Sequence, residues 1–593
     1  MELGGLTVKL DHVIPQYDDS DFRRRRLGQW RSKYRYTKFA GIPLNADPSI
    51  LDTVIDLAWD GVIARAIFKV RSNIEQVIAN TGWRFSNSIP SLTTRDFANY
   101  LIRKDMPKLT EYFIPTLGFA LDGGRPKHID DYRQVFANHE VPAIADRYMS
   151  DESFANGFVA GANPLLLRRL DELQTDFPIN QSHLAQLADF ANDDLNQAIG
   201  EGRIYLADFK ALAKLRDGRH YNCPKYIYKP ICAFAVPKSG GLMQPFAIQL
   251  GQESEGRDIY TPADGWSWQI AKGMVMVAYG NHHEAVAHLA ETHLILEPIV
   301  IATYRQLSHR HPLYALFFHH GEGTLQINNL AFAWLLQPNK PFDIMTGSQL
   351  DDIKELAAAA RLNFDFRANY LPQRLKSRGL DDTKALPYYP YRDDALLVWH
   401  TINAWVQEFI SCFYTSDDNV KGDTELQQWA AEIASDHGGA IKNFILNNTG
   451  ITSKAELIDL VTMIIFTAGP QHAAVNFPQK TDMAYMPAAP LAGFIPEITG
   501  NSHTEEDYLN FLPPIEVACT SQMALEFLGD IYFNKLGNYA LTFDLDSDAV
   551  KAAISNFERN LKEVEAIISE RDKSRVFTYP HLRPSRIPKS INI

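Results

Sequence analysis

The sequence predicts a mainly α-helical protein with one small β element, and three observations carry that expectation. From Trp266 to Leu296 apolar residues recur three and four apart without a break. Helical patterns follow around 299–308, 323–337, 393–414, 423–447, 455–468, 504–511, 521–534 and 547–570. Between about 220 and 262 the pattern changes instead to the short β-like runs IYKPICAFAVP and PFAIQL, joined by the turn residues SGG.

In chain order, residues 1–45 form a mixed, proline-containing extension with a local excess of basic charge. From Arg23 to Lys38 there are eight Lys or Arg residues (Arg23, Arg24, Arg25, Arg26, Arg31, Lys33, Arg35, Lys38) and no acid. Such a run is either a solvated face that pairs with nearby acids or a patch that attracts anionic lipid head groups. An amphipathic helix is expected over 49–71, capped by Asp47 with Pro48 at its first position, or by Ser49. It packs on the body of the protein or, as the second choice, lies on a membrane surface. The Trp266–Leu296 helix is expected to end near Pro298. With 593 residues the chain is long enough for several domains, yet nothing after residue 50 reads as a linker. One large catalytic domain over 46–593 is therefore favoured.

The formal net charge of −13 argues against nucleic acid as a main partner, because phosphate binding needs a basic face. Cys223, Cys232, Cys412 and Cys519 form no CxxC pair and fit a reduced, cytoplasmic setting. The start MELGGLTVKLD lacks the basic-then-apolar layout of a secretory signal. No run of ~18 uncharged apolar residues occurs, so no transmembrane helix is expected.

The segment Trp266–His320 carries His282, His283, His288, His293, His309, His311, His319 and His320. His283, His288 and His293 recur on a five-residue step, which a scatter of core or surface histidines does not explain. The zinc-protease pattern HExxH fails here, because His283-Glu284 leads to HExxxH. On an ideal α-helix five residues turn roughly 140° beyond a full turn, so two such imidazoles do not meet one metal. The spacing thus predicts either no shared metal or a local π-helix. A second element, FTAGPQHAAVNFPQ, sets His472 and Asn476 four apart on one helix face. A third is the tail SRIPKSINI, whose last four residues carry two isoleucines and no charged side chain. A buried tail brings in the Ile593 carboxylate, which then needs a cation; a frayed tail needs none.

Together HxxxxHxxxxH, HAAVNF and the terminal IPxSxxI resemble the lipoxygenase family. VAGANP at 159–164, GRIYLADF at 202–209, WQIAK at 268–272, YPYRDDALLVWHTINAWVQEFI and DTELQQW extend the resemblance over about residues 30–593. It implies one non-haem iron, in preference to manganese, held by His288, His293, His472, Asn476 and the carboxylate of Ile593. His283 matches the family's non-ligating histidine, and Glu284 and Gln479 match positions that link the two ligand helices. Leu335 and Leu528 match leucines that clamp the reactive carbons. Ala331 matches the position held by alanine in S-specific members and glycine in R-specific ones. Phe342, Ile344, Met345 and Leu525 fall where pocket depth is set.

The implied substrates are a polyunsaturated fatty acid and O2. The implied reaction is hydrogen abstraction from a 1,4-pentadiene by an Fe(III)-hydroxide, followed by O2 insertion to give an S hydroperoxide. Two departures stand out. Ala489 occupies the position of an arginine that holds a carboxylate deep in the pocket of plant enzymes, which weakens carboxylate-first entry. The family's amino-terminal lipid-binding β-barrel is not expected, which leaves the Arg23–Lys38 run and the 49–71 helix as candidates for membrane contact. The rival readings are a zinc hydrolase, which lacks its carboxylate base in a four-residue histidine step, a non-catalytic lipid-binding relative, and hydroperoxide isomerisation as a side activity.

Overall fold

The computed structural model describes residues 12–18, 20–39, 42–44, 125–136, 140–220, 223–446, 449–529, 535–539 and 547–593; the helix expected over 49–71 lies outside them. The described chain is mainly helical, and one hydrophobic core runs from Ile14 to Ile591.

Helix α1, Asp21–Lys33, starts at Ser20, whose hydroxyl accepts from the Arg23 amide. Its basic run divides in two. Arg23 is buried and forks onto Glu425, with Nη2 3.0 Å from Oε2, and Arg31 donates to Gln306 and Gln428. Arg24, Arg25 and Arg35 are exposed, and Arg24 pairs with Asp21 at 2.8 Å. Two of the eight basic residues therefore tether α1 to the body, Arg23 by a buried acid and Arg31 by neutral amides.

The β element is a five-stranded antiparallel sheet, β1 (Arg168–Arg169), β2 (Ile204–Asp208), β3 (Ile231–Ala235), β4 (Gln244–Gln249) and β5 (Ile259–Tyr260), with neighbours paired in that order. The two runs read from sequence are the β3–β4 hairpin. Its SGG turn puts Gly240 and Gly241 at φ of 80° and 102°, where a side chain would be strained. Alternation buries both faces: Tyr205, Cys232 and Phe234 enter the main core, while Leu206, Ile231 and Ala233 pack under a cluster with Phe177, Leu184 and Phe190.

The centre is α2 (Trp266–His282), a π-helical segment His283–His293, and α3 (Leu294–Gln306), which run on as one 41-residue helix. Pro298 does not end it. Proline supplies no N–H to the carbonyl one turn back, and buried Arg361 donates to that carbonyl, Leu294 O, at 3.3 Å. Next come α4 (Thr324–Trp334), α5 (Pro341–Met345), α6 (Leu350–Asn363), which carries Arg361, and α7 (Pro390–Ser411). The helix expected over 423–447 stops at Ala434. There the Gly439 amide turns back to Glu432 O at 2.9 Å, and a Cβ on Gly439 would sit 2.5 Å from the Ile433 carbonyl. The chain continues through α8 (Lys454–Phe466), α9 (His472–Asn476), α10 (Ile515–Leu528) and α11 (Asp548–Asp572).

Two helices, Trp266–Gln306 and Lys454–Met483, are long and apolar enough to cross a membrane, although no uninterrupted apolar run signals them. In each, 89% of the apolar window is buried inside the protein, which makes them core helices. The two helices pack together where both carry buried histidines.

The Arg23–Glu425 fork is the test of how α1 is held. Glu425→Ala strands a buried guanidinium, and a loss of about 3 kcal/mol or more is expected in denaturant titration. The double change Arg23→Met/Glu425→Met recovers most of it. A single variant within 1 kcal/mol of the parent shows that α1 docks by other means.

Candidate metal centre

The five-residue step resolves into a π-helix over His283–His293. At its end the Leu294 amide reaches back five residues to Leu289 O, and the Thr292 hydroxyl donates to His288 O, so the widened turn leaves its carbonyls partnered. Outside, Glu291 is locked to Arg374 at 2.7 Å. The slip brings His288 and His293 to one side, with their Nε2 atoms 3.2 Å apart.

The facing helix repeats the device. A π segment Thr467–Gln471, which contains Pro470, precedes α9, and a second, Gln479–Met483, follows it. The sequence predicts the four-residue step of His472 and Asn476 but neither flanking π segment. His472 Nε2 stands 3.3 Å from that of His288 and 3.2 Å from that of His293. Among the described residues these three histidines are the group of His, Cys, Asp and Glu side chains spaced to share a metal.

The tail is buried rather than frayed, with Ile591 fully enclosed and Ile593 3% exposed. The Ile587 carbonyl accepts from the Leu536 amide, Lys589 O from His320 Nδ1 at 2.7 Å, and Ile591 O from the Thr324 hydroxyl at 3.0 Å. Gly469 permits the passage, since a Cβ there would lie 2.6 Å from Pro588 O. Thr324 and Asn328 are one turn apart on α4, and Asn328 contacts His293, so one helix holds both the tail and a site histidine.

The polar contacts fix which atoms face the centre. Asn328 Nδ2 donates to the Glu297 carboxylate at 2.7 Å, which turns its Oδ1 toward His293 Nδ1 at 2.7 Å. That nitrogen must carry the proton, which leaves a lone pair on Nε2. His288 Nδ1 faces the Glu284 carboxylate at 3.8 Å, which favours a proton on the same nitrogen. Asn476 Nδ2 donates to Leu528 O at 2.7 Å, which fixes the amide so that its Oδ1 is the acceptor; that oxygen takes a hydrogen bond from Gln479 at 2.9 Å and keeps a second lone pair. Burial pushes His293 down to about 3, with His288 adding to the shift, and holds His288 and His472 below the ordinary imidazole value. Burial acts to raise the Glu284 carboxyl, but His283 and His288 outweigh it and bring it to about 2. The result is buried, neutral imidazoles whose lone pairs converge. This donor set fits a metal cation: the nitrogens and oxygens suit a first-row metal such as iron or manganese, and no thiolate is involved.

His283 is fully buried, and its Nε2 donates to Val475 O at 2.7 Å, which ties the two histidine-bearing helices together. Glu284 faces His283 and His288, while Gln479 donates to Asn476 Oδ1 at 2.9 Å. Both are buried. Ala331 and Leu335 follow Asn328 along α4, and the Leu335 amide bonds to Ala331 O at 2.8 Å. The Leu528 backbone is held by Asn476, Leu525 is fully buried, and α10 packs on α5, which carries Phe342 and Met345. Ile344 turns instead to Ala492, Phe494 and Val517. Ala489 is fully buried. Sequence reading missed Asn328 and Glu297, because an asparagine in LQINNLAF and a glutamate before a proline carry no spacing signal of their own.

A family model described as Lipoxygenase matches residues 125–579. A linoleate 9/13-lipoxygenase of Pseudomonas aeruginosa is 39% identical over 491 residues, spanning 79% of this chain and 70% of that protein. The solved structure of a calcium-dependent 11R-lipoxygenase superposes with a TM-score of 0.84 at 25% identity, covering 98% of this chain and 83% of that one. A manganese lipoxygenase shares the fold at a TM-score of 0.79 and 19% identity, covering 98% of this chain and 100% of its own. With the fold, the buried histidine cluster and these matches together, the chain belongs to the lipoxygenase family, dioxygenases that act on linoleate- and arachidonate-type fatty acids.

Proposed function

We propose that this chain is an iron lipoxygenase that converts a 1,4-pentadiene of a polyunsaturated fatty acid to an S hydroperoxide. The metal is held by His288, His293, His472, Asn476 and the carboxylate of Ile593. The observation that carries the reading is the convergence of three buried, neutral imidazoles within 3.3 Å of one another. Iron is preferred to manganese on the family resemblance, since the donor set accepts either. When bound, the metal supplies one-electron oxidation at the weak doubly allylic C–H bond, with the proton leaving alongside.

The rest is the work of the chain. Leu335 and Leu528 press the pentadiene from α4 and α10, Phe342, Met345 and Leu525 close the deep end, and the apolar wall excludes water. Ala331 places a methyl where one face of the pentadienyl radical would otherwise meet O2, and this supports the S assignment. A free acid or an ester enters with its polar end outward, because Ala489 offers no charge inside. A reducing compartment is part of this reading and fits four free cysteines. Peripheral membrane contact falls to the exposed Arg24, Arg25 and Arg35.

On protein whose iron has been quantified, linoleate should drive oxygen uptake together with growth of the conjugated-diene absorbance. Iron near one equivalent with no diene from linoleate, linolenate or arachidonate argues against fatty-acid dioxygenation. Chiral chromatography should give mainly S product, and Ala331→Gly should raise the R fraction several-fold; a parent that already makes mainly R product sinks the assignment of the face. Deletion of Ile593 moves the terminal carboxylate back by one residue, to Asn592, and should weaken iron retention by roughly tenfold or more. Retention equal to the parent's would mean that the tail is buried for packing alone.

A further inference from the structure

Behind His293 lies a buried polar chain that the reaction as described does not use. His293 Nδ1 meets Asn328 Oδ1 at 2.7 Å, and Asn328 Nδ2 meets Glu297 Oε2 at 2.7 Å and the His293 carbonyl at 3.4 Å. Glu297 is 1% exposed and sits one turn after His293 on the same helix face, so the loop His293–Asn328–Glu297 closes on itself. Beneath it Arg361, also 1% exposed, donates to Leu294 O, Gly439 O and Ala440 O, and its charge acts on Glu297. Pro298 makes this possible, because it frees the Leu294 carbonyl that Arg361 takes.

The other two histidines are backed differently. His288 has a carboxylate in front of its Nδ1, Glu284 at 3.8 Å, with no intervening group. His472 Nδ1 is buried with no hydrogen-bond partner among the described residues. The three imidazoles are thus graded: one faces a carboxylate, one reaches a carboxylate through an amide, and one has neither.

We infer that Asn328 and Glu297 are positioning residues that set the donor strength of His293 toward a bound metal. The inference rests on the metal-centre reading above and extends it to residues that touch neither metal nor substrate. An ionised carboxylate behind an amide polarises it, and a stronger acceptor on Nδ1–H makes Nε2 a better donor. The amide also fixes the tautomer, since with Glu297 accepting from Nδ2 only Oδ1 can face the imidazole. Arg361 gives the buried carboxylate a neighbouring cation.

The test uses fully iron-loaded protein and reads the rate at which Fe(II) passes to excess chelator without oxygen, with the EPR spectrum of the oxidised iron as a second readout. Glu297→Gln keeps an acceptor for Asn328 but removes the charge, and should speed iron loss by roughly tenfold with an altered EPR rhombicity. The swap Glu297→Gln/Asn328→Asp keeps the total charge and nearly the same volume, and places the carboxylate directly on His293. It should restore iron loss to the parent's rate or slower, and it serves where the single variant folds poorly. Parent-like loss and spectrum in Glu297→Gln, or fast loss in a folded swap, overturns the inference and leaves the metal centre intact. A parent that holds no iron overturns the metal-centre reading, and this one with it.

Discussion

Three neutral imidazoles whose lone pairs face one another in a dry interior are mutually repulsive until a cation sits among them, and the structure is arranged around that constraint. Nothing in the local sequence of a helix requires five-residue spacing; an α-helix built over His283–His293 would turn His293 away from His288. The widened π-turn is an uncommon choice for a backbone, and here it is stabilised from several sides at once. Thr292 takes a carbonyl inside the turn, Glu291–Arg374 clamps it outside, and His283 ties it to the opposite helix through Val475 O. The opposite helix carries its own π segments on either side of His472 and Asn476. Packing of two long core helices thus sets the convergence, and the polar groups set which atoms converge.

Much of this could be read from residues alone, and the physical reason is spacing. A five-residue histidine step leaves only a π-turn or no shared site, and a four-residue His–Asn step needs only an ordinary helix turn. The uncharged end of the chain signals burial, and the burial is real, with Ile591 and Ile593 enclosed. The β3–β4 hairpin is equally legible because its glycines mark the turn. What spacing cannot give is any contact made across the fold. Pro298 reads as a helix end, yet Arg361, 63 residues later in the chain, satisfies the carbonyl that proline leaves open. The 423–447 pattern reads as one helix, yet the Gly438–Gly439 turn folds back on Glu432 and Ile433. Glu284 and Gln479 are buried at the centre as the resemblance implies, but the link between the helices passes through His283, whose partner is a backbone carbonyl and leaves no trace in side-chain identity.

The basic run at the start of the chain shows the same limit from the opposite side. Composition treats its eight charges as one feature, whereas the fold separates them by helix face. Arg23 and Arg31 reach inward across about 400 residues of sequence to Glu425 and Gln428, while Arg24, Arg25 and Arg35 remain at the surface. A charge cluster in sequence is therefore a statement about local potential only, and burial decides which members contribute to it.

Charge placement at the centre follows from the same dryness. In a low-dielectric interior a cation is not screened by water, so the protein must supply compensating charge close by. The three imidazoles are neutral and supply none of it, and in the proposed ligand set only the Ile593 carboxylate would bring a negative charge. The remaining anions stand one group back, Glu284 against His283 and His288 and Glu297 against Asn328. From there they act through the imidazoles without occupying a position that a small substrate needs. Placing them as donors would close the site; leaving them out would leave a buried cation underneutralised. Setting the carboxylates behind neutral nitrogens satisfies both demands, and it accounts for Glu284 and Glu297, two buried glutamates in a largely apolar helix.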